Sequence, residues 1–362
     1  MALRIIDGFD YIPPGASFAL VAQMLLAGGW YFQPGGSGYS VPGSYNGRFG
    51  GTCLEINQQA SSPNPPNILR KIPGSTCVSG VVGVALQIGP ALVAPFYIAF
   101  FDSSANAAQC SVSFHEYGIM NVWCGAPGSG TLLATAPIGT FVSGGWFYFE
   151  VEAVISATSG SLIAKINGVA VFSITGSVTQ VTGHAYFDSI LFAPQLTSAP
   201  TSYQIDDFYF LDLTGSVNNS FLGNVRVQTQ FPAGAGATTD FTAVGASTNW
   251  QAASNTNLND TTYNYDGTVG DLDLYAMGAT VNAPLAYGVQ VRGGYRQDDA
   301  TEIVVVNVLR TGGTNYTGAN YSLYETYTFD IDIWELDPNT SAGWTQSEIN
   351  ALQAGPKIIS IG

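Results

Sequence analysis

Apolar and polar residues alternate with a period of two through most of the chain, and the alternating runs are interrupted by Gly, Pro, Asn or Ser. Successive side chains of a strand point to opposite faces, so this period predicts half-buried β-strands joined by tight turns. The runs fall at 52–56, 78–88, 96–102, 110–115, 120–124, 131–136, 146–155, 161–166, 169–175, 184–192 and 203–212. A second set covers 225–231, 272–277, 286–296, 302–310 and 321–334. In GGWFYFEVEAVI, Phe147, Phe149 and Val151 predict an inward face, and Tyr148, Glu150 and Glu152 a face toward water. In SLIAKINGVAVFSITG two strands meet at Asn167-Gly168, the pair that a type I′ hairpin turn favours because both central residues need positive φ.

Two segments depart from this period. ASFALVAQMLLAGGWYF, residues 16–32, follows Pro13-Pro14, puts Leu20, Met24 and Leu25 on one face and meets a stop at Gly28. It is short for a bilayer span, contains Gln23 and Gly28-Gly29 and lacks a basic flank, which predicts a short helix docked on a sheet and no membrane insertion. Near the C-terminus, Thr345 and Glu348 have the spacing of a capping box, with Trp344 and Ile349 as its hydrophobic staple. Gly355-Pro356 is expected to end that helix. Residues 231–271 are polar and rich in Gly, Thr and Asn, and are expected to form a long loop serving as a binding surface or interface.

A chain of 362 residues suggests two domains. The Gly/Ser/Asn-rich LTGSVNNSFLGN, after YQIDDFYFLD, is the best boundary. The expectation is an all-β protein with one sandwich at 1–212 and a second sandwich-like domain with a short C-terminal helix at 213–362. Hydrophobic residues make up 46% and charged residues 10%, enough for a large core. With Lys+Arg 10 against Asp+Glu 25, the net charge is −15, which excludes charge-driven nucleic-acid binding. The opening MALRIIDGFDYIPPG has no apolar core or cleavage site of a secretory signal, so synthesis in a cytosol is expected. The four cysteines, Cys53, Cys77, Cys110 and Cys124, form no CxxC pair and are expected to be buried thiols, with Cys110 and Cys124 placed to face each other across a hairpin.

The segments GGWFYFEVEAVI, SLIAKINGVAVFSITG and YQIDDFYFLD, in that order, resemble the laminin-G/concanavalin-A-like jelly-roll superfamily over roughly residues 28–212. The second half and its junction look like a class of tailed-bacteriophage virion proteins. The segments that carry this are IDDFYFLDLTGSVNNSFLGNVRVQTQFP, TDFTAVGASTNWQAA, DTTYNYDGTVGDLDLY and WTQSEINALQAGP, with MALRIIDGFD at the start. The resemblance implies a non-enzymatic component of the virion, as capsid decoration, tail or fibre, assembled in the host cytoplasm. Its partners would be other copies of itself and other virion proteins. The alternative is an adhesin that binds a host-surface glycan.

Candidate chemistry is sparse. Asp330, Asp332 and Glu335 in TFDIDIWELD have the spacing, though not the first Glu, of the E-x-D-x-x-E motif of jelly-roll glucanases. The competing reading is an outward polar face with Phe329, Ile331 and Ile333 inward. Asp266, Asp271 and Asp273 offer oxygens for Ca²⁺ or form an Asp/Gly-rich turn. Alternation puts Asp206 and Asp207 on opposite faces, so one of them needs an edge, a bound cation such as Ca²⁺, or a partner such as Arg226 or Lys165. His115 and His184 accompany no nucleophile motif. Trp250, Tyr263, Asn264 and Tyr265 in the polar segment suit either a sugar or a subunit interface.

Overall fold

The computed structural model describes residues 2–32, 39–40, 46–58, 68–72, 74, 76–89, 95–195, 201–256, 258–280 and 285–362, and all counts below refer to these. The chain is all-β and divides into two compact units, Met1–Val227 and Gln228–Gly362.

The first unit is a sandwich of two antiparallel sheets. One has eight strands, in the order Val169–Ser177, Gly160–Ile166, Trp146–Val154, Ser79–Ile88, Thr201–Leu211, Leu54–Gln58 and Tyr39–Ser40, with Leu3–Asp7 also paired to Thr201–Leu211. The other has seven, in the order Thr131–Ala136, Met120–Cys124, Ala107–Phe114, Phe96–Asp102, Ser189–Pro194, Ile68–Lys71 and Trp30–Phe32. Phe96 stacks on Tyr203 at 4.6 Å, and Phe114 meets Phe149 edge-on at 4.9 Å. Trp30 lies 5.5 Å from Phe208, and its indole N–H donates to Asp7 at 2.9 Å, so the one polar atom of this buried ring is satisfied. The Asn167-Gly168 turn has φ of 48° and 80°, as the primed turn requires. Cys110 and Cys124 are direct cross-strand partners and, like Cys53 and Cys77, are buried free thiols.

The early helix spans Phe18–Ala27. Ser17 Oγ caps it by accepting from the Leu20 N–H, Gly28 ends it, and Val21, Met24 and Leu25 are buried. No helix among the described residues is long and apolar enough to cross a membrane.

The second unit holds a six-stranded antiparallel sheet, in the order Pro232–Thr239, Asp273–Met277, Gln353–Ile361, Ile303–Thr311 and Thr314–Thr317, with Tyr321–Ser322 also on Ile303–Thr311. Two hairpin-like pairs accompany it, Thr242–Val244 with Tyr263–Tyr265 and Val289–Tyr295 with Thr328–Trp334. The segment 231–271 is therefore structured, with its own strands and the helix Asn249–Ala253, instead of forming one long loop. The C-terminal helix, Gln346–Asn350, carries the complete capping box, and Trp344 and Ile349 sit in one core cluster with Leu309 and Leu352. Gly355 and Pro356 do not stop this helix; they lie inside a sheet strand. A Cβ at 355 would meet the Asp273 carbonyl at 1.9 Å, which is why Gly stands there. Pro356 has no N–H to give, and the ladder toward Asp273–Met277 pairs only Ala354 and Gln353 before resuming as the lone bridge Leu272–Lys357.

Candidate functional site

The densest group of buried charge lies on the outer face of the larger sheet of the first unit. Its origin is a β-bulge. Along Thr201–Leu211, Asp206 pairs with Ala85 and Tyr209 with Gly83, so three steps on one strand match two on its neighbour. Asp207 is the residue that absorbs the extra step, with φ of 51°. The bulge reverses the phase of alternation. Tyr203 and Ile205 point into the core before it, Phe208 and Phe210 after it, and both carboxylates turn outward. Strict alternation had placed the two on opposite faces.

Outward does not mean exposed. Tyr148 and Glu150 are each 1% accessible, Asp206 5% and Asp207 2%. The expectation of a wet face at Tyr148, Glu150 and Glu152 is overturned for the first two, because residues 213–227 run across them as a strap. The Val227 N–H donates to Asp207 Oδ1 at 2.7 Å, the Gly223 N–H to Glu150 Oε1 at 2.8 Å, and the Leu222 N–H to Tyr209 Oη at 3.2 Å. Tyr209 donates to Glu150 Oε1 at 2.6 Å, and Lys165 Nζ lies 3.8 Å from the Phe221 ring centroid. The strap therefore belongs to the first unit, and the division between units falls at Val227, beyond the sequence estimate of 212.

Arg48 closes the group. Its guanidinium donates to Val225 O at 3.1 Å, to Asn224 Oδ1, and weakly to Asp207 Oδ2 at 3.4 Å, and it sits over the Phe49 and Tyr148 rings. The Arg48 and Asp207 N–H groups donate to the two oxygens of Asp206, at 2.9 and 2.8 Å. Burial, and then the charge of Asp207, push Asp206 up to about 8. Burial pushes Asp207 up to about 6 against the pull of the Val227 N–H and Arg48. Asp10, Phe49, Gly50 and Arg226 complete the rim of a cleft of about 10 Å³ over the pair, room for about one water. Among the described residues no three acidic, His or Cys side chains converge as a metal would need. Arg48, not the expected Arg226 or Lys165, bonds directly to Asp207, while Arg226 acts on it only through its charge.

The second unit uses its candidate residues likewise. Asp273 is fully buried and accepts from Tyr275 Oη at 2.8 Å and Asn249 Nδ2 at 3.1 Å. Asn264 Nδ2 donates to Tyr275 Oη and to Asn249 O, both at 2.9 Å. Asp266 and Asp271 stay at the surface turn, where Asp266 accepts from the Thr268 N–H at 2.6 Å, so the trio 266, 271 and 273 does not gather round one point. Trp250 and Tyr263 are half-buried, whereas Tyr265 is 54% exposed.

The Asp332 side chain and the Asp330 backbone carbonyl both meet the buried Asn307 of Ile303–Thr311, and Asp330 Oδ2 is buried without a hydrogen-bond partner among the described residues. Asn307 Nδ2 donates to Asp332 Oδ2 at 2.9 Å, the Ala319 N–H to Asp332 Oδ1 at 2.8 Å, and Tyr295 Oη to Asn307 Oδ1 at 2.7 Å. Burial and the charge of Asp332 push Asp330 up to about 6. Glu335 lies past the end of Thr328–Trp334.

Sequence reasoning missed Arg48, Asp102 and Gln109. Asp102, fully buried, accepts from Ser104, Thr182 and His184, and Gln109 bonds to residues 181, 182, 184 and 186, pinning that stretch to the smaller sheet. Ser104 Oγ is 3.4 Å from His184 Nδ1, the same nitrogen that bonds Asp102, so this is a turn-holding cluster and not the relay a hydrolase needs.

No protein-family model matches the chain, and no curated protein matches it. Among solved structures, the alginate lyase vAL-1 from Chlorella virus is 10% identical over 55% of this chain and 99% of its own, with a TM-score of 0.37. The CBM2 module of the evolved Dit of Lactobacillus casei BL23 phage J-1 is 12% identical over 52% and 92%, with a TM-score of 0.37. The carbohydrate-binding module CBM66 from Bacillus subtilis is 10% identical over 51% and 91%, with a TM-score of 0.30. At these values the similarity assigns neither activity nor ligand to this chain.

Proposed function

We propose that the chain is a non-enzymatic structural component of a phage virion, working through self-association and contacts with other virion proteins. The observation that carries this reading is the contrast between its acidic groups and its surface. The carboxylates that invited a chemical role, Asp206, Asp207, Asp273 and Asp332, accept hydrogen bonds from the protein's own donors and hold its segments together. Large apolar side chains meanwhile stand in water, among them Ile138, Val142 and Val169. Exposed apolar side chains of this kind suit contact with neighbouring protein. The junction and second-half segments described above, with MALRIIDGFD, add the resemblance to virion proteins. Quantitative mass spectrometry of purified particles tests it: the chain is expected at a fixed, integer-related ratio to the major capsid protein. Its absence from washed particles would refute the reading.

A second reading, an adhesin for host-surface glycan, draws on Tyr265, exposed beside Asn264 on the strand Tyr263–Tyr265. Glycan-array binding lost on Tyr265→Ala would favour it; an array without signal would remove it.

A further inference from the structure

We propose that two copies of this chain pair through the edge strand Val169–Ser177, joining their larger sheets antiparallel about a twofold axis. The inference rests on the structural reading above and names the contact it needs.

Val169–Ser177 is the last strand of its sheet and pairs, among the described residues, with Gly160–Ile166 alone. The smaller sheet ends on the same side, at Thr131–Ala136, whose only ladder among the described residues is to Met120–Cys124. A strand edge presents a row of N–H and C=O groups that can extend a sheet, and natural proteins usually block it with charge or proline. Here neither of these is present, although two bulges, at Val171 and Gly176, interrupt the strand's pairing with Gly160–Ile166. Val169–Ser177 contains no proline, and residues 117–149 and 166–187 contain no Asp, Glu, Lys or Arg. Apolar residues lie on and just after the strand instead: Val169 is 69% exposed and Val181 53%.

Charge decides the occupant. The molecule carries a net −15, so two copies repel over most of their surfaces. The uncharged side is where a second copy meets no like charge, and an antiparallel strand pair is its own complement under twofold symmetry. A basic partner would find no acidic group within these two stretches to pair with.

Sedimentation equilibrium of the full chain across a concentration series tests the pairing. The expected mass is twice the 38.0 kDa of one chain. Ser173→Lys with Thr175→Lys places ammonium groups at two exposed positions of the strand, facing their counterparts across the axis, and is expected to return the mass to 38.0 kDa with an unchanged circular dichroism spectrum. Thr317→Lys, on the edge strand Thr314–Thr317 of the second unit, is expected to leave the mass doubled. A wild-type chain that stays single throughout, or a double-lysine variant that stays paired, overturns the proposal. A chain that is single in solution yet stoichiometric in particles removes the edge pairing and leaves the virion role. A lysine-sensitive pair absent from every particle does the reverse.

Discussion

Replacing Arg48 by Ala tests whether the strap of residues 213–227 is held by the charge group beneath it. The change removes the donors to Val225 O and Asn224 Oδ1 and leaves Asp207, 2% accessible, without its bonded cation, with only the charge of Arg226 nearby. Hydrogen bonds from a charged group contribute about 1.5–3 kcal/mol each. Stripping one partner from a buried ion pair costs about 3–5 kcal/mol. These overlap, and Asp207 can relieve part of the penalty by taking up a proton, so the expected loss is about 3 kcal/mol at pH 8. In hydrogen exchange that corresponds to a fall of about a hundredfold in protection of the amides that bond beneath the strap. Those are the Leu222, Gly223 and Val227 N–H groups. The effect should shrink toward pH 5, where a neutral Asp207 no longer needs the guanidinium. A loss of protection below about tenfold, or one independent of pH, would refute the assignment of Arg48 as the clamp.

Three further outcomes are expected. Asp206 and Asp207 have folded-state pKa values raised to about 8 and about 6 from 3.8, so the folded state holds their protons more tightly than the unfolded state does. Their contribution to stability is therefore complete below about pH 4 and is lost as the pH rises through about 6 to 8; denaturant titrations should show this slope, and Asp206→Asn should flatten its upper part. Gly83→Ala would drive a Cβ to 2.0 Å from the Tyr209 ring, whose hydroxyl holds Glu150, and should destabilise the first unit by about 3 kcal/mol or more in urea melts, with the second unit's transition unchanged. Thr345→Ala removes the helix cap and should cost the second unit about 1 kcal/mol in the same assay.

Local signals were legible in the sequence wherever one residue type has one physical use. Asn167-Gly168 turned as its φ preference requires, Gly28 ended the first helix, and the Thr345–Glu348 box formed with its staple. The bulge at Asp207 was not legible, because alternation is read by assuming that it continues. The phase change shows only in the two apolar sets, Tyr203 with Ile205 and Phe208 with Phe210, which no single period accommodates. Burial of Tyr148 and Glu150 was hidden for a different reason. It depends on a strap some seventy residues later in the chain, and a Gly/Ser/Asn-rich stretch reads as a linker whether it floats or is held through its backbone N–H groups. Arg48 left a faint mark, as one of ten Lys and Arg residues in the whole chain. Pro356 misled because proline usually ends elements, and a strand that gives up part of one ladder is the exception.

The proposed role is one of surfaces and not of a reactive group. Cryo-electron microscopy of purified particles tests it most directly: two-sheet sandwich density that fits the first unit is expected at symmetry-related positions, packed against neighbouring protein. Particles without that density, together with a free chain that cleaves polysaccharide, would contradict it.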